Sequence, residues 1–200
     1  MHHPAFFNDV RRITLTDPLA AFLGAAVGGL IEYTYRDAVK LAGHSCPTVA
    51  GAYLATLKAL AHLYPGATPE RGAVKVSFRE HLTSGVTGVM ANVATLITGA
   101  TQDGGFKGIA GKFDRRNLLF FNAAIGGEMQ FQRADNGAAV IAAYHPELVP
   151  PTPAMRELMP MVMAGAASGE EVKEFGRLWQ DRVKRILIDH IDNPGLVVLS

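Results

Sequence analysis

The only cysteine of the chain, Cys46, lies in the run Leu41-Ala-Gly-His-Ser-Cys-Pro-Thr-Val-Ala-Gly51, two residues after His44 and directly before Pro47. Proline is favoured at the first position of a helix, where its missing N–H costs nothing. An apolar run with helical period, Val49 to Tyr64, follows it. Cys46 is therefore expected at the N-cap, where unpaired N–H groups and the positive end of the helix dipole favour a thiolate. A thiolate and an imidazole in that position make either half of a metal site or a nucleophile with its base. A lone cysteine is otherwise a small buried hydrophobe. A second candidate for chemistry is the glycine-rich stretch from Gly99 to Gly111. It lacks the spacing of a P-loop, but Lys107 and Lys112 are placed to meet a substrate carboxylate or phosphate. Arg115 and Arg116 either share that role or are solvated residues at a strand start.

Gly43-His-Ser-Cys-Pro47, with Gly51 following, resembles the Gly-His-x-Cys-Pro-Gly motif of the FmdE family of formylmethanofuran dehydrogenase proteins. Asn92 to Thr101 resembles that family's helix ending in a threonine–glycine turn, and Gly105-Phe-Lys-Gly108 its glycine–lysine–glycine loop. The chain departs from the family pattern at Ala42, Thr48, Val89 and Asn92, and it has no further cysteine for that family's C-terminal zinc module. The resemblance implies a mixed sheet packed by helices, a homodimer, and a divalent metal, zinc or iron, held by His44 and Cys46 for metal-assisted chemistry on a small molecule. A nitrogen and sulfur ligand set suits zinc. Two protein ligands leave positions for a third, from His81 or a dimer mate, or for water and substrate. His2 and His3 are further candidate ligands or terminal residues without a role. Two alternatives stand beside the metal reading. One is a metal-free thiol enzyme with Cys46 as nucleophile and His44 as base. The other is a non-catalytic module in which the glycine loop and Lys107 hold a small anion.

Composition narrows the class. The chain has 200 residues, 48% of them hydrophobic, enough for a sizeable core. Its 19 basic and 18 acidic side chains nearly cancel, which lacks the basic footprint of a nucleic-acid binder. One cysteine excludes an internal disulfide and agrees with a reducing compartment. No signal peptide is read at the N-terminus, and the apolar run from Pro18 to Ile31 is short for a membrane span and broken by glycines. A cytoplasmic protein without membrane partners is the expectation.

The elements that must position the motif follow from periodicity. Helical patterns are expected after Asp17-Pro18, over 30–42, from Pro47 to about Leu63, and from Ser84 to Thr98. In the last of these, Asn92 is expected to be a buried amide in need of partners. Strands are expected over Ala73–Phe78, Leu118–Asn122, Glu128–Arg133 and Ala138–Tyr144, with a hairpin at Asp135-Asn-Gly137. The strand at 118–122 is apolar enough to be central. Prolines 146, 150, 151 and 153 form a linker, followed by a methionine-rich helix and by a helix opened by the capping box Ser168-x-x-Glu171. Leu196–Leu199 is an apolar strand that needs an edge or a dimer mate. The fold class is α+β, with a mixed or antiparallel sheet of four to five strands. Residues 1–148 form the main domain, and 149–200 form a helical extension packing on that domain or on a dimer mate.

Overall fold

The computed structural model describes residues 3–200, so His2 lies outside the described residues. The chain opens with strand β1 (Ile13–Thr16), a single-turn helix α1 (Pro18–Phe22), strand β2 (Leu30–Tyr33) and helix α2 (Tyr35–Ala42). It continues through helix α3 (Pro47–Leu63), strand β3 (Val74–Phe78), helix α4 (Thr87–Thr98), strand β4 (Leu119–Phe120), strand β5 (Met129–Arg133) and strand β6 (Ala139–Tyr144). Helix α5 (Pro153–Met163), helix α6 (Gly169–Lys184) and strand β7 (Val197–Leu199) complete it. This is an α+β fold: a five-stranded mixed sheet in the order β4-β3-β5-β6-β7 packed by helices, with β1 and β2 as a separate antiparallel pair.

Local chemistry accounts for these boundaries. Asp17 caps α1, its carboxylate accepting from the amides of Leu19 and Ala20. Gly43 ends α2 in the left-handed region (φ 75°), which glycine enters without a Cβ penalty. The capping boxes Thr34/Asp37 and Ser168/Glu171 open α2 and α6. In α3, Val49, Tyr53 and Leu60 are buried as the apolar period requires, and so is the thin side formed by Ala50, Gly51, Ala52 and Ala55.

Two expectations are corrected. Residues 30–33 are a strand rather than the start of a helix, because they pair with β1 in the register Thr16↔Leu30 to Ile13↔Tyr33. The stretch 118–122 is not a central strand. Only Leu119 and Phe120 pair, in parallel with β3 at the sheet edge. Asn117 and Asn122 bracket them at φ 56° and 55°, a left-handed conformation that ends an extended run. Leu118 and Phe121 nevertheless pack partly against the core. The β5–β6 hairpin and its turn follow expectation.

The helical extension packs on the same domain. Val183 of α6, Ile186 and Leu187 just after it, and Leu196 and Val197 at the end belong to the core that also holds Leu54, Val76 and Phe131. Strand β7 covers β6, in the register Ala142↔Leu199. Among the described residues no helix is long and apolar enough to cross a membrane.

Directionality matters most for the site. Met129 pairs with Phe78, and Arg133 with Val74. Helix α3 starts beside Tyr144, whose hydroxyl donates to the Pro47 carbonyl at 3.0 Å, and ends where Arg133 donates to the Leu63 carbonyl at 3.0 Å. Helix α4 ends at Thr98, whose carbonyl accepts from the Gly72 amide just before β3. Both helices therefore begin at one end of the sheet, near Phe78, Met129 and Tyr144, and run back to the other.

Candidate functional site

Cys46 is the N-cap of α3, with Pro47 at the first helical position. Its Sγ accepts the amide N–H of Val49 at 3.5 Å. The side chain is half-buried and is a free thiol. His44 is exposed, and its Nδ1 lies 2.9 Å from the Ala42 carbonyl oxygen. A carbonyl only accepts, so Nδ1 carries the proton in that bond and the Nε2 lone pair is left free.

The loop between the two residues is held from several sides. Ser45 shares a 3.0 Å hydrogen bond with the Tyr35 hydroxyl of α2. Its carbonyl accepts from Trp179 Nε1 at 2.9 Å and Gln180 Nε2 at 3.2 Å, both on α6. The C-terminal extension thus pins the motif loop. On the other side Tyr144 holds Pro47, and its ring occupies the space that a Cβ on Gly51 would need. Burial pushes the Tyr35 and Tyr144 phenols well above the ordinary tyrosine range, so both act as neutral O–H groups.

Beside this helix start lies a cleft of about 400 Å³, lined by Arg79, Thr87, Gly126, Glu128, Tyr144 and His145 among others. Thr87 is the first residue of α4, so the start of that helix meets the cleft, while the start of α3 borders it through Tyr144. Glu128 anchors one carboxyl oxygen on the Tyr144 amide at 3.2 Å. Burial raises its carboxyl above the ordinary range, outweighing the Tyr144 amide, Arg79 and His145, which pull it down. A carboxyl raised by burial in a cleft is suited to hold and release a proton.

The sign of that shift gives a test. A folded-state value above the unfolded one contributes stability that is present below the unfolded value and lost as pH rises through the folded value. A carboxyl held above its unfolded-state value is therefore a net cost at neutral pH. Glu128→Gln keeps an oxygen for the Tyr144 amide and is expected to melt higher than the parent at pH 7. Below the unfolded carboxylate range the two should converge. An equal or lower melting temperature at pH 7 would contradict the assignment.

The structure brings His44 and Cys46 to one loop. His81 lies in the loop after β3, exposed, with Nδ1 accepting the Thr83 amide at 3.2 Å. Among the described residues no group of three or more His, Cys, Asp or Glu side chains is gathered to hold a metal ion. A zinc site takes three or four protein ligands, so one chain offers His44 and Cys46 as half of such a set. Lys107 is exposed on the glycine loop, away from this end of the sheet. Asn92 is exposed on α4 rather than buried, which corrects the expectation of a buried amide. Arg115 is buried rather than solvated, with 6% exposure. Glu128, Tyr144 and His145 escape a reading by motif. Their only sequence signal is the Gly126-Gly127 pair before Glu128, and the thin face around Gly51 that needs a ring to fill it.

No protein-family model, no curated protein and no solved structure matches the chain.

Proposed function

We propose that the start of α3 is a thiol-centred site for a small molecule, with Cys46 as the nucleophile, His44 as its base and Glu128 as a proton-holding group in the adjoining cleft. The observation that carries this reading is the N-cap geometry: Sγ accepts the Val49 amide, so the helix N-terminus faces the sulfur. N–H groups and a helix dipole directed at a thiol stabilise its charged form, the form that reacts. The pinned loop supports the same reading, since Tyr35, Trp179 and Gln180 hold Ser45 and leave the neighbouring Cys46 little entropy to lose on being ordered. A free thiol also fits a reducing, cytoplasmic setting.

A second reading has one specific observation in its favour. The Nδ1 bond to Ala42 leaves the His44 Nε2 lone pair free, the arrangement that orients a histidine for a metal. In that reading zinc or iron is held by His44 and Cys46. A dimer mate, or water and substrate, completes the set, and the metal supplies Lewis acidity. It is the function expected of a relative of the FmdE family.

Elemental analysis of untagged protein and of Cys46→Ser separates the two. Metal-free protein whose Cys46 alkylates faster when folded than when unfolded supports the thiol site. Near-stoichiometric metal that is lost in Cys46→Ser overturns it in favour of the metal site.

A further inference from the structure

At the opposite end of the sheet from Cys46 lies a cavity of about 340 Å³, lined by Glu70, Arg71, Lys112, Phe113, Asp114 and Arg115 among others. Its floor is an ion cluster. The buried carboxylate of Asp17 accepts Arg115 Nη2 at 2.7 Å and Arg71 Nη1 at 3.1 Å. Arg115 also donates to the Arg71 carbonyl, and Arg71 to the Leu96 carbonyl at 3.2 Å. Two guanidiniums thus share one carboxylate and retain an excess positive charge. The Nε–H groups of both arginines are buried without an acceptor. One carboxylate leaves part of that charge unbalanced at the wall of a cavity that both arginines line, and a bound anion would offset it.

The other carboxylates at the cavity leave the excess in place. Asp114 is taken by Arg116 in a bidentate pair, at 3.0 and 2.7 Å. Glu70 and Lys112 are both exposed, form no ion pair among the described residues, and add one charge of each sign.

The surroundings are shaped for these groups. Gly72 has no side chain where the Arg115 guanidinium lies, and a Cβ on Gly99 would come within 3.2 Å of the Arg71 side chain. A tight turn places Lys112, with Ile109 and Lys112 exchanging backbone hydrogen bonds of 2.9 Å. Phe113 sits at φ 64°, a conformation that a bulky residue adopts at a cost. Its ring lies 5.5 Å from that of Phe22 and gives the cavity an aromatic side.

We propose that this cavity binds the phosphoryl group of a small organic phosphate. Guanidinium forks match phosphoryl oxygens, Lys112 adds a mobile point charge, and Phe113 offers a flat face to the organic part. The volume is at the small end for ligand sites and suits a small molecule. Of the two lysines on the glycine loop, the one at this cavity is Lys112 and not Lys107. The site is independent of the reading of Cys46.

The test is calorimetric titration of the whole chain with inorganic phosphate and with phenyl phosphate, alongside NMR of the arginine Nε–H resonances. Saturable binding is expected, tighter for phenyl phosphate, with shifts of the Arg71 and Arg115 Nε–H signals. Replacing Arg115 disrupts a buried cluster, so the informative variant is the exposed Lys112→Glu. It should weaken binding by about tenfold, as reversal of a surface charge beside an anion implies, while the same reversal at the exposed Lys173 on α6, which does not line the cavity, stays within about twofold. Absence of saturable binding, Lys112→Glu binding like the parent, or unmoved Arg71 and Arg115 signals would overturn the proposal. Equal affinity for the two probes would assign the cavity to free phosphate and overturn the organic-phosphate part.

Discussion

Asp17→Ala is expected to lower the unfolding free energy by about 3–5 kcal/mol, the usual cost of removing one partner from a buried ion pair. The Asp17 side chain is 5% exposed and holds two guanidiniums and the first amides of α1. Its removal leaves Arg115, whose side chain is 7% exposed, with no carboxylate partner. Urea unfolding at neutral pH measures the loss. Asp17→Asn separates the charge from the cap, because the amide oxygen still accepts from Leu19 and Ala20. The pH dependence fixes the sign. Burial pushes the Asp17 carboxyl up, but the Ala20 amide, Arg115 and Arg71 together outweigh it and hold the group below its ordinary value of 3.8. A depressed folded-state value means stabilisation that is present above the unfolded value and lost as pH falls through the folded one. The parent should therefore show an acid limb below about pH 4 that is weaker in both variants. A loss under about 1 kcal/mol with an unchanged acid limb would show that the cluster is not a structural anchor.

Gly51→Ala is the second large effect, and it links the fold to the Cys46 site. The position is helical, where alanine is intrinsically preferred by about 1 kcal/mol. Against this, the new methyl group would fall inside the Tyr144 ring. That ring is fixed by its hydrogen bond to Pro47 and by the strand that carries it. Overpacking of this kind costs about 1–3 kcal/mol, so the variant is expected to lose stability despite the better helix former. Displacing Tyr144 also frees the Pro47 carbonyl beside Cys46. The alkylation rate of Cys46 should change in Gly51→Ala and not in a control such as Gly176→Ala, where a Cβ meets open space. A stabilised Gly51→Ala with unchanged Cys46 reactivity would contradict this packing.

The parts legible in the sequence are those written in local chemistry. Pro47 after Cys46 announces a helix start, Ser168 with Glu171 a capping box, and Asp135-Asn-Gly137 a hairpin, because each is decided by neighbouring backbone groups. What the sequence conceals depends on partners far along the chain. Arg115 reads as a surface residue until Asp17, 98 positions away, reaches it. Leu118–Asn122 reads as a central strand because its apolar side chains pack on the core, yet the left-handed Asn117 and Asn122 confine the pairing to two residues. Glu128 and Tyr144 lie at strand ends, and only the shared direction of α3 and α4 carries the helix starts to them. The motif itself stands out, since His44, Cys46 and Pro47 are close together in sequence. Its surroundings on α2, β6 and α6 do not.

The reactivity of the thiol at the start of α3 is tested most directly by the rate at which Cys46 reacts with iodoacetamide at neutral pH, folded and in urea. Cys46 is the only cysteine, so the signal has one source. Metal-free folded protein is expected to react at least about tenfold faster than the unfolded chain, as for thiols at a helix N-terminus. A folded-state rate equal to or below the unfolded one, in protein shown to be metal-free, would contradict a reactive thiol and leave Cys46 as the cap of a helix and nothing more.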